Sequence, residues 1–271
     1  MSGSAIGRFT NTSDYEEGLH ELGAAITPTQ PGPFTASLVR VDLPQLRLMR
    51  AKESGPRIGF FSIPDHWRYT IFLTRPGPPL VWNGDALSFG DVMLSGAGER
   101  LHQRTIEAAE IGIIGMPGQM LRRYARGLVG RTLAPLHEAS IVRLKKAQNR
   151  HLLLLHARIG RLAETRPGTI CHPEAARAIE QELIEALVTC IVTGDARGAS
   201  AIGQGTGRTL ARFEALLAQN ADWSLSTTGM SKALGVPAQV LRSCCAASFG
   251  MSPSHYARLR RADRRSRSGR Q

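Results

Sequence analysis

The apolar positions of this chain change period along its length. From about Phe34 to Ile114 they alternate or cluster in short β-branched blocks, as in "FTASLVRVDLPQLRLMRA" and "YTIFLTR", which predicts strands. In "PLVWNGDALSFGDVMLSG" the pair Asn83-Gly84 separates two apolar runs, and both turn residues of such a hairpin need positive φ. Gly90-Asp91 then turns the chain into "VMLS". Short strands joined by glycine turns predict a β-rich barrel or roll over 34–116. Residues 1–33, polar and rich in Gly, Pro, Ser and Thr, are expected to form a flexible arm.

From Pro117 the period becomes helical, and a helical region is predicted over 117–195. Its helices are "GQMLRRYARGLVG", "HEASIVRLKKAQNRHLLLLHARIGRLAET" and "HPEAARAIEQELIEALVTCIVTG". In the third, Pro173 suits N1 and Glu174 lies in the first turn, where the helix dipole favours an acid. Ala176, Ile179, Leu183, Leu187, Cys190 and Ile191 form its apolar stripe. The run Leu152 to Leu155 reads as core or dimer face. The glycine-rich "GDARGASAIGQGTGR" has neither the Gly-Lys-Ser/Thr ending nor the feeding strand of a phosphate loop. It reads as a linker, 196–208, ahead of a C-terminal all-α domain, 209–271. The fold class expected is therefore α+β.

Within that last domain, "LSTTGMSKALGVPAQVLRSCCAASFG" carries the packing arithmetic of a helix–turn–helix. Gly235 makes the turn, and small Ser231 permits close helix crossing. Met230, Leu234 and Val236 face inward, as do Leu241, Cys244 and Cys245 at i, i+3 and i+4. The adjacent cysteines are then packing residues rather than a redox or metal pair. Gly250 closes the second helix, Ser252 caps the next and Pro253 opens it.

Charge sharpens this picture. The formal net charge is +12, and all but four of the 34 basic residues are Arg. Half of that excess lies after Ser252, where Arg258, Arg260, Arg261, Arg264, Arg265, Arg267 and Arg270 face only Asp263. Arginine offers a planar donor fork suited to phosphates and guanine edges. The four cysteines form no C-x-x-C, so buried thiols in a reducing, cytoplasmic setting are expected. No apolar run reaches the length of a membrane span, and no membrane partner is expected.

Catalytic patterns are wanting. His66 and His102 have no third ligand at useful spacing, and the Asp14, Glu16 and Glu17 cluster reads as solvated. "HEASIVRLKK" lacks the second His of a metalloprotease helix, and no G-x-S-x-G occurs. The chain is therefore read as a non-enzyme without metal or cofactor.

The stretch "ALGVPAQVLRSCCAASFGMSPSHYARLRR" resembles the first helix–turn–helix of the AraC/XylS family of bacterial transcription regulators. The resemblance is carried by Leu234, Gly235, Val236, Leu241, Arg242, Phe249, Gly250, Met251, Ser252, Pro253, Tyr256, Arg258, Leu259 and Arg261. It implies a β-rich, cupin-like sensor, a helical dimerisation region and a DNA-binding domain, in that order. It further implies DNA as partner, a small-molecule effector of unspecified kind, and a homodimer.

On that resemblance Gln239 and Arg242 face bases, Ser243 lies beside them on the DNA-binding helix, and Ser252, His255, Tyr256, Arg258, Arg260 and Arg261 face phosphates. The sequence also departs from the family pattern. The reading helix is poor in donors, and the chain stops at Gln271 as the linker helix finishes, so a second helix–turn–helix is expected to be missing. The alternative reading is a truncated regulator that dimerises with a longer relative and antagonises it without binding DNA.

Overall fold

The computed structural model describes residues 2–130, 139–198, 201–220 and 226–268. In chain order the strands are β1 (Gly3–Phe9), β2 (Ala25–Pro28), β3 (Ala36–Asp42), β4 (Arg47–Glu53), β5 (Arg57–Ser62), β6 (Trp67–Leu73) and β7 (Leu80–Trp82). They continue with β8 (Asp85–Leu87), β9 (Asp91–Leu94), β10 (Arg100–Thr105), β11 (Ala109–Pro117), β12 (Ser140–Arg143) and β13 (Asp195–Gly198). The helices are α1 (Thr12–Gly18), α2 (Gly118–Val129), α3 (Lys146–Thr165), α4 (Pro167–Cys171), α5 (Pro173–Thr193), α6 (Ala201–Gln219), α7 (Thr227–Leu234), α8 (Ala238–Phe249) and α9 (Pro253–Ser268). The fold is α+β, with the β-rich part first.

Four layers result from the alternation of side chains along the strands. One sheet runs β1-β3-β4-β11-β6-β9-β12-β13, the other β2-β5-β10-β7-β8, and every pairing is antiparallel. Met49, Ile71, Ile111 and Ile113 of the first sheet meet Ile26, Phe61, Trp82 and Leu101 of the second in a shared core. On the other face of the first sheet, Leu48, Phe72, Val92 and Ile114 pack under α2, α3 and α5. On the outer face of the second sheet, Ile58 joins the core of α6–α9, with Leu210, Phe213, Leu241 and Phe249.

Several expectations are met in detail. Asn83 and Gly84 have φ of 46° and 98°, the positive values the hairpin demands, and Gly90 turns at 92°. Helix α5 opens on Pro173 and buries Ala176, Ile179, Leu183, Leu187, Cys190 and Ile191. Of the leucine run, Leu152 and Leu155 are buried while Leu154 is 60% exposed.

Three expectations are corrected. Residues 1–33 are not a flexible arm: β1 pairs with β3 from Gly3↔Asp42 to Phe9↔Ala36, and Asn11 caps α1 through the Asp14 N–H. Tyr15, Leu19 and Leu22, at i, i+4 and i+7, are buried in the barrel core. That apolar stripe outweighs the polar average of the segment.

The second predicted helix begins late, because Ser140–Arg143 is a strand between β9 and β13. The β-branched Ile141 and Val142 fill the two faces of the sheet there, Ile141 toward the barrel core and Val142 toward α3 and α5. The start of that stretch, His137 and Glu138, lies outside the described residues. The barrel thus draws in β12 and β13 beyond the boundary expected at 116.

The expected linker at 196–208 is the end of β13 followed by the first turns of α6. Glycines inside a helix cost about 1 kcal/mol each against Ala. Here one buried face, Thr206, Gly207, Leu210, Phe213 and Glu214, holds the helix against the barrel. Packing outweighs propensity.

Candidate nucleic-acid interface and the seam behind it

Helices α7 and α8 meet at Gly235, which is in the left-handed region (φ 65°) and caps α7. Ser226 caps the start of α7 by accepting the Gly229 N–H at 3.1 Å, which places Gly229 in the first turn. Met230, Ser231 and Leu234 of α7 pack on Leu241, Cys244 and Cys245 of α8, all buried. Both thiols point inward, and burial pushes the Cys245 thiol well above its usual range. Gly250 ends α8 at φ 69°, and Ser252 accepts the His255 N–H at 3.3 Å to start α9.

The packing leaves one face of α8 in solvent: Gln239, Val240, Arg242, Ser243, Ala246 and Ala247. The side-chain oxygen of Gln239 accepts from Nε and Nη2 of Arg242 at 3.2 and 2.9 Å, so the guanidinium is held against the helix. Ser252, His255 and Arg258 are also exposed, and Arg261 is half-buried, its Nε donating to the Ala257 carbonyl at 3.4 Å. These seven of the nine expected contact residues share the surface of α8 and α9.

The other two do not. Tyr256 is buried, stacked on Phe249 at 4.0 Å between ring centres, and its hydroxyl donates to Glu214. Arg260 donates to Glu214 Oε2 and to Thr27 Oγ1, each at 3.2 Å. Both are withdrawn from any phosphate by a carboxylate on α6. The expected phosphate role is corrected for both.

Glu214 organises the seam between barrel and helical module. Besides Tyr256 and Arg260 it holds Nε2 of His102, on β10, at 3.2 Å. Burial alone would raise its carboxyl; the His102 hydrogen bond, the charges of Arg260 and His102, and the Tyr256 hydroxyl hold it instead at about 2. An ionised carboxylate only accepts, so His102 carries its proton on Nε2. The ring lies 4.8 Å from both Phe60 and Phe249. Glu214 is legible as one acid on the apolar face of α6, between Phe213 and Leu217. Among the described residues no group of three possible metal ligands occurs.

Behind His102, the inward face of the same sheet lines a cavity of about 20 Å³, room for one water molecule. Arg57, 1% exposed, spans it: Nε and Nη2 donate to the two oxygens of Glu53 at 2.9 and 3.0 Å, and Nη1 to the Gln103 carbonyl at 3.0 Å. Tyr15 donates to the same Glu53 at 2.9 Å. Trp82 also lines the cavity, and its buried indole Nε1 has no hydrogen-bond partner. Sequence reasoning missed this set; its signal is charge at inward positions of strands, Glu53 and Arg57 on β4 and β5.

The chain is similar over 95% of its length to the crystal structure of the AraC-like transcriptional activator CuxR, at 16% identity and a TM-score of 0.51, with 94% of that chain covered. ToxT from Vibrio cholerae aligns with 79% of this chain and 98% of its own at 8% identity and a TM-score of 0.32. A cupin from Shewanella frigidimarina aligns with 35% of this chain and 86% of its own, at 9% identity and a TM-score of 0.25. The first of these shows a shared overall fold. No protein-family description matches the sequence, and no curated protein matches it.

Proposed function

We propose that this protein is a ligand-responsive, sequence-reading DNA-binding regulator of AraC type, acting in the cytoplasm. The observation that carries the reading is the solvent face of α8. It presents Gln239, Arg242 and Ser243 directly opposite the buried Leu241, Cys244 and Cys245, and it adjoins the basic surface of α9. An α-helix of this kind fits the major groove, where Arg pairs with guanine and Gln with adenine. Ser252, His255, Arg258 and Arg261 are placed to hold phosphates, which fixes register without reading sequence.

The barrel is the sensor in this reading. Its effector is a small molecule bound in the cavity lined by Arg57 and Trp82, which must widen to admit it, because as it stands the cavity takes no more than a water. The protein pairs as a homodimer in this reading, through the α3 face that exposes Leu154. The test is a salt titration of binding to a duplex selected from a random pool and to its scrambled counterpart. Preference for the selected duplex at every salt supports the reading; equal affinity throughout removes sequence reading from it.

A second reading is favoured by the donor-poor surface of α8, where Val240, Ala246 and Ala247 stand beside only three polar side chains. In it the protein is an antagonist that pairs with a related regulator and leaves DNA alone. Capture of such a relative with no shift of any duplex selects this reading.

A further inference from the structure

An arginine drawn under a protein surface ordinarily finds an acceptor there, because its fork of charged donors is costly to desolvate. Every other partly or fully buried arginine among the described residues does so. Arg57 finds Glu53, Arg143 finds Asp91 and Arg260 finds Glu214, while Arg68 and Arg261 use backbone carbonyls. Arg104 does not. It is half-buried on β10, its Nε is buried without a partner, and among the described residues nothing accepts from its Nη atoms. Burial lowers its pKa, and no carboxylate offsets the shift.

Arg104 stands at the rim of the seam. It lies across from Ile58 in the sheet and on the same face of β10 as His102. Two residues further on, Ile106 is 46% exposed, so the cover given by the helical module ends there. The guanidinium lies over Gly250, the exposed residue that closes α8: a Cβ at that position would stand 3.0 Å from the Arg104 Cζ and would collide with Nη1. Two residues beyond Gly250, Ser252 caps α9, a helix of 16 residues whose first turn carries partial positive charge. Ser252, His255 and Arg258 are exposed on that side. An uncompensated guanidinium from the barrel and the positive end of a helix thus meet at one exposed corner, where α8 ends. The group that suits both is an oxyanion, and a duplex lying against α8 presents a row of them.

We infer that Arg104 of the barrel is a DNA-backbone contact, which holds a phosphate beside Ser252 at the corner between α8 and α9. This rests on the DNA-reading function proposed above. It makes the barrel and the helical module a single binding surface, with one contact that exists only while the seam is closed. Arg104 adds affinity and fixes register without reading a base.

Two full-length variants test this, Arg104→Met and Arg104→Gln, which remove the guanidinium and keep an unbranched stem. A duplex is selected from a random pool with the natural protein. Each phosphate around the selected site is then replaced in turn by a neutral methylphosphonate. Affinities of the natural protein and the variants are measured across this series, and on the unmodified duplex at several salt concentrations.

The variants are expected to bind the unmodified duplex roughly threefold to tenfold more weakly, with the same base preference, and to lose about one from the slope of log affinity against log salt. Neutralising one phosphate flanking the site should weaken the natural protein and leave the variants indifferent. Their urea midpoints should match or exceed that of the natural protein, because no internal partner is stranded. An unchanged salt slope, or equal sensitivity of natural protein and variants at every phosphate, overturns the contact while leaving DNA reading in place. If the natural protein itself enriches no duplex, the DNA-reading function fails and the contact fails with it.

Discussion

His102 of the barrel and Glu214 of the helical module meet at 3.2 Å inside the seam, and the same carboxylate also receives Tyr256 and Arg260. Removing the carboxylate strands two donors and a guanidinium in a dry interface. Glu214→Gln is expected to destabilise the protein by about 3–5 kcal/mol, the usual cost of breaking a buried charged pair from one side. Chemical denaturation measures it. A loss below about 1 kcal/mol would mean that the seam is wet and the network ornamental.

Acid acts on the same group. The Glu214 carboxyl titrates at about 2 when folded against 4.5 when unfolded, so its contribution is complete above pH 4.5 and is lost as pH falls toward 2. His156 adds an earlier step. Burial pushes it down to about 4, against a small opposing pull from its bond to the Met49 carbonyl, whereas the unfolded residue titrates at 6.5. The unfolded chain therefore takes up a proton first, and stability declines as pH falls from 6.5 to 4. Urea midpoints across this range should fall in two stages, and His156→Gln should abolish the upper one.

Arg242 and Arg258 are expected to fail differently. Arg242→Ala should cost about 1–3 kcal/mol on a selected duplex and relax preference at one base pair. Arg258→Ala should weaken binding alike on all duplexes and reduce the salt slope by about 1. Quantitative gel shifts at several salt concentrations separate the two, and identical behaviour of the pair would remove α8 from the groove.

Thiol chemistry checks the packing of the turn. Cys171 is exposed, whereas Cys190, Cys244 and Cys245 are buried, and burial raises the Cys190 thiol to about 12. Ellman's reagent should label a single thiol rapidly in the native protein and lose it in Cys171→Ser. Rapid labelling of Cys244 or Cys245 would mean that α7 and α8 do not pack as described. Cys245→Ser should destabilise by about 1–3 kcal/mol, through a buried hydroxyl with no partner.

The local geometry of the C-terminal module was legible because its constraints are short-range. Gly235, Gly250 and Ser252 act on neighbouring backbone, and the i, i+3, i+4 spacing of Leu241, Cys244 and Cys245 fixes one face. The Asn83-Gly84 turn was legible for the same reason. What a window of sequence does not hold is the partner across space. Glycines 203, 205 and 207 read as a linker because the surface that α6 packs on comes from β10 and the hairpin, more than a hundred residues away. Tyr256 and Arg260 read as phosphate contacts because Glu214 and Thr27 are invisible from their own helix. The first thirty residues read as loose because β3 is what orders β1.

The order of the layers sets a ruler. The α3 face with Leu154 lies on one side of the stacked sheets and α8 on the other, so three interlayer spacings of about 10 Å separate them. Two copies joined back to back through Leu154 would hold their reading helices roughly 70 Å apart, about two turns of B-form duplex rather than one. Paired operator elements for such a particle would then fall on the same side of the double helix some 21 base pairs from centre to centre, roughly.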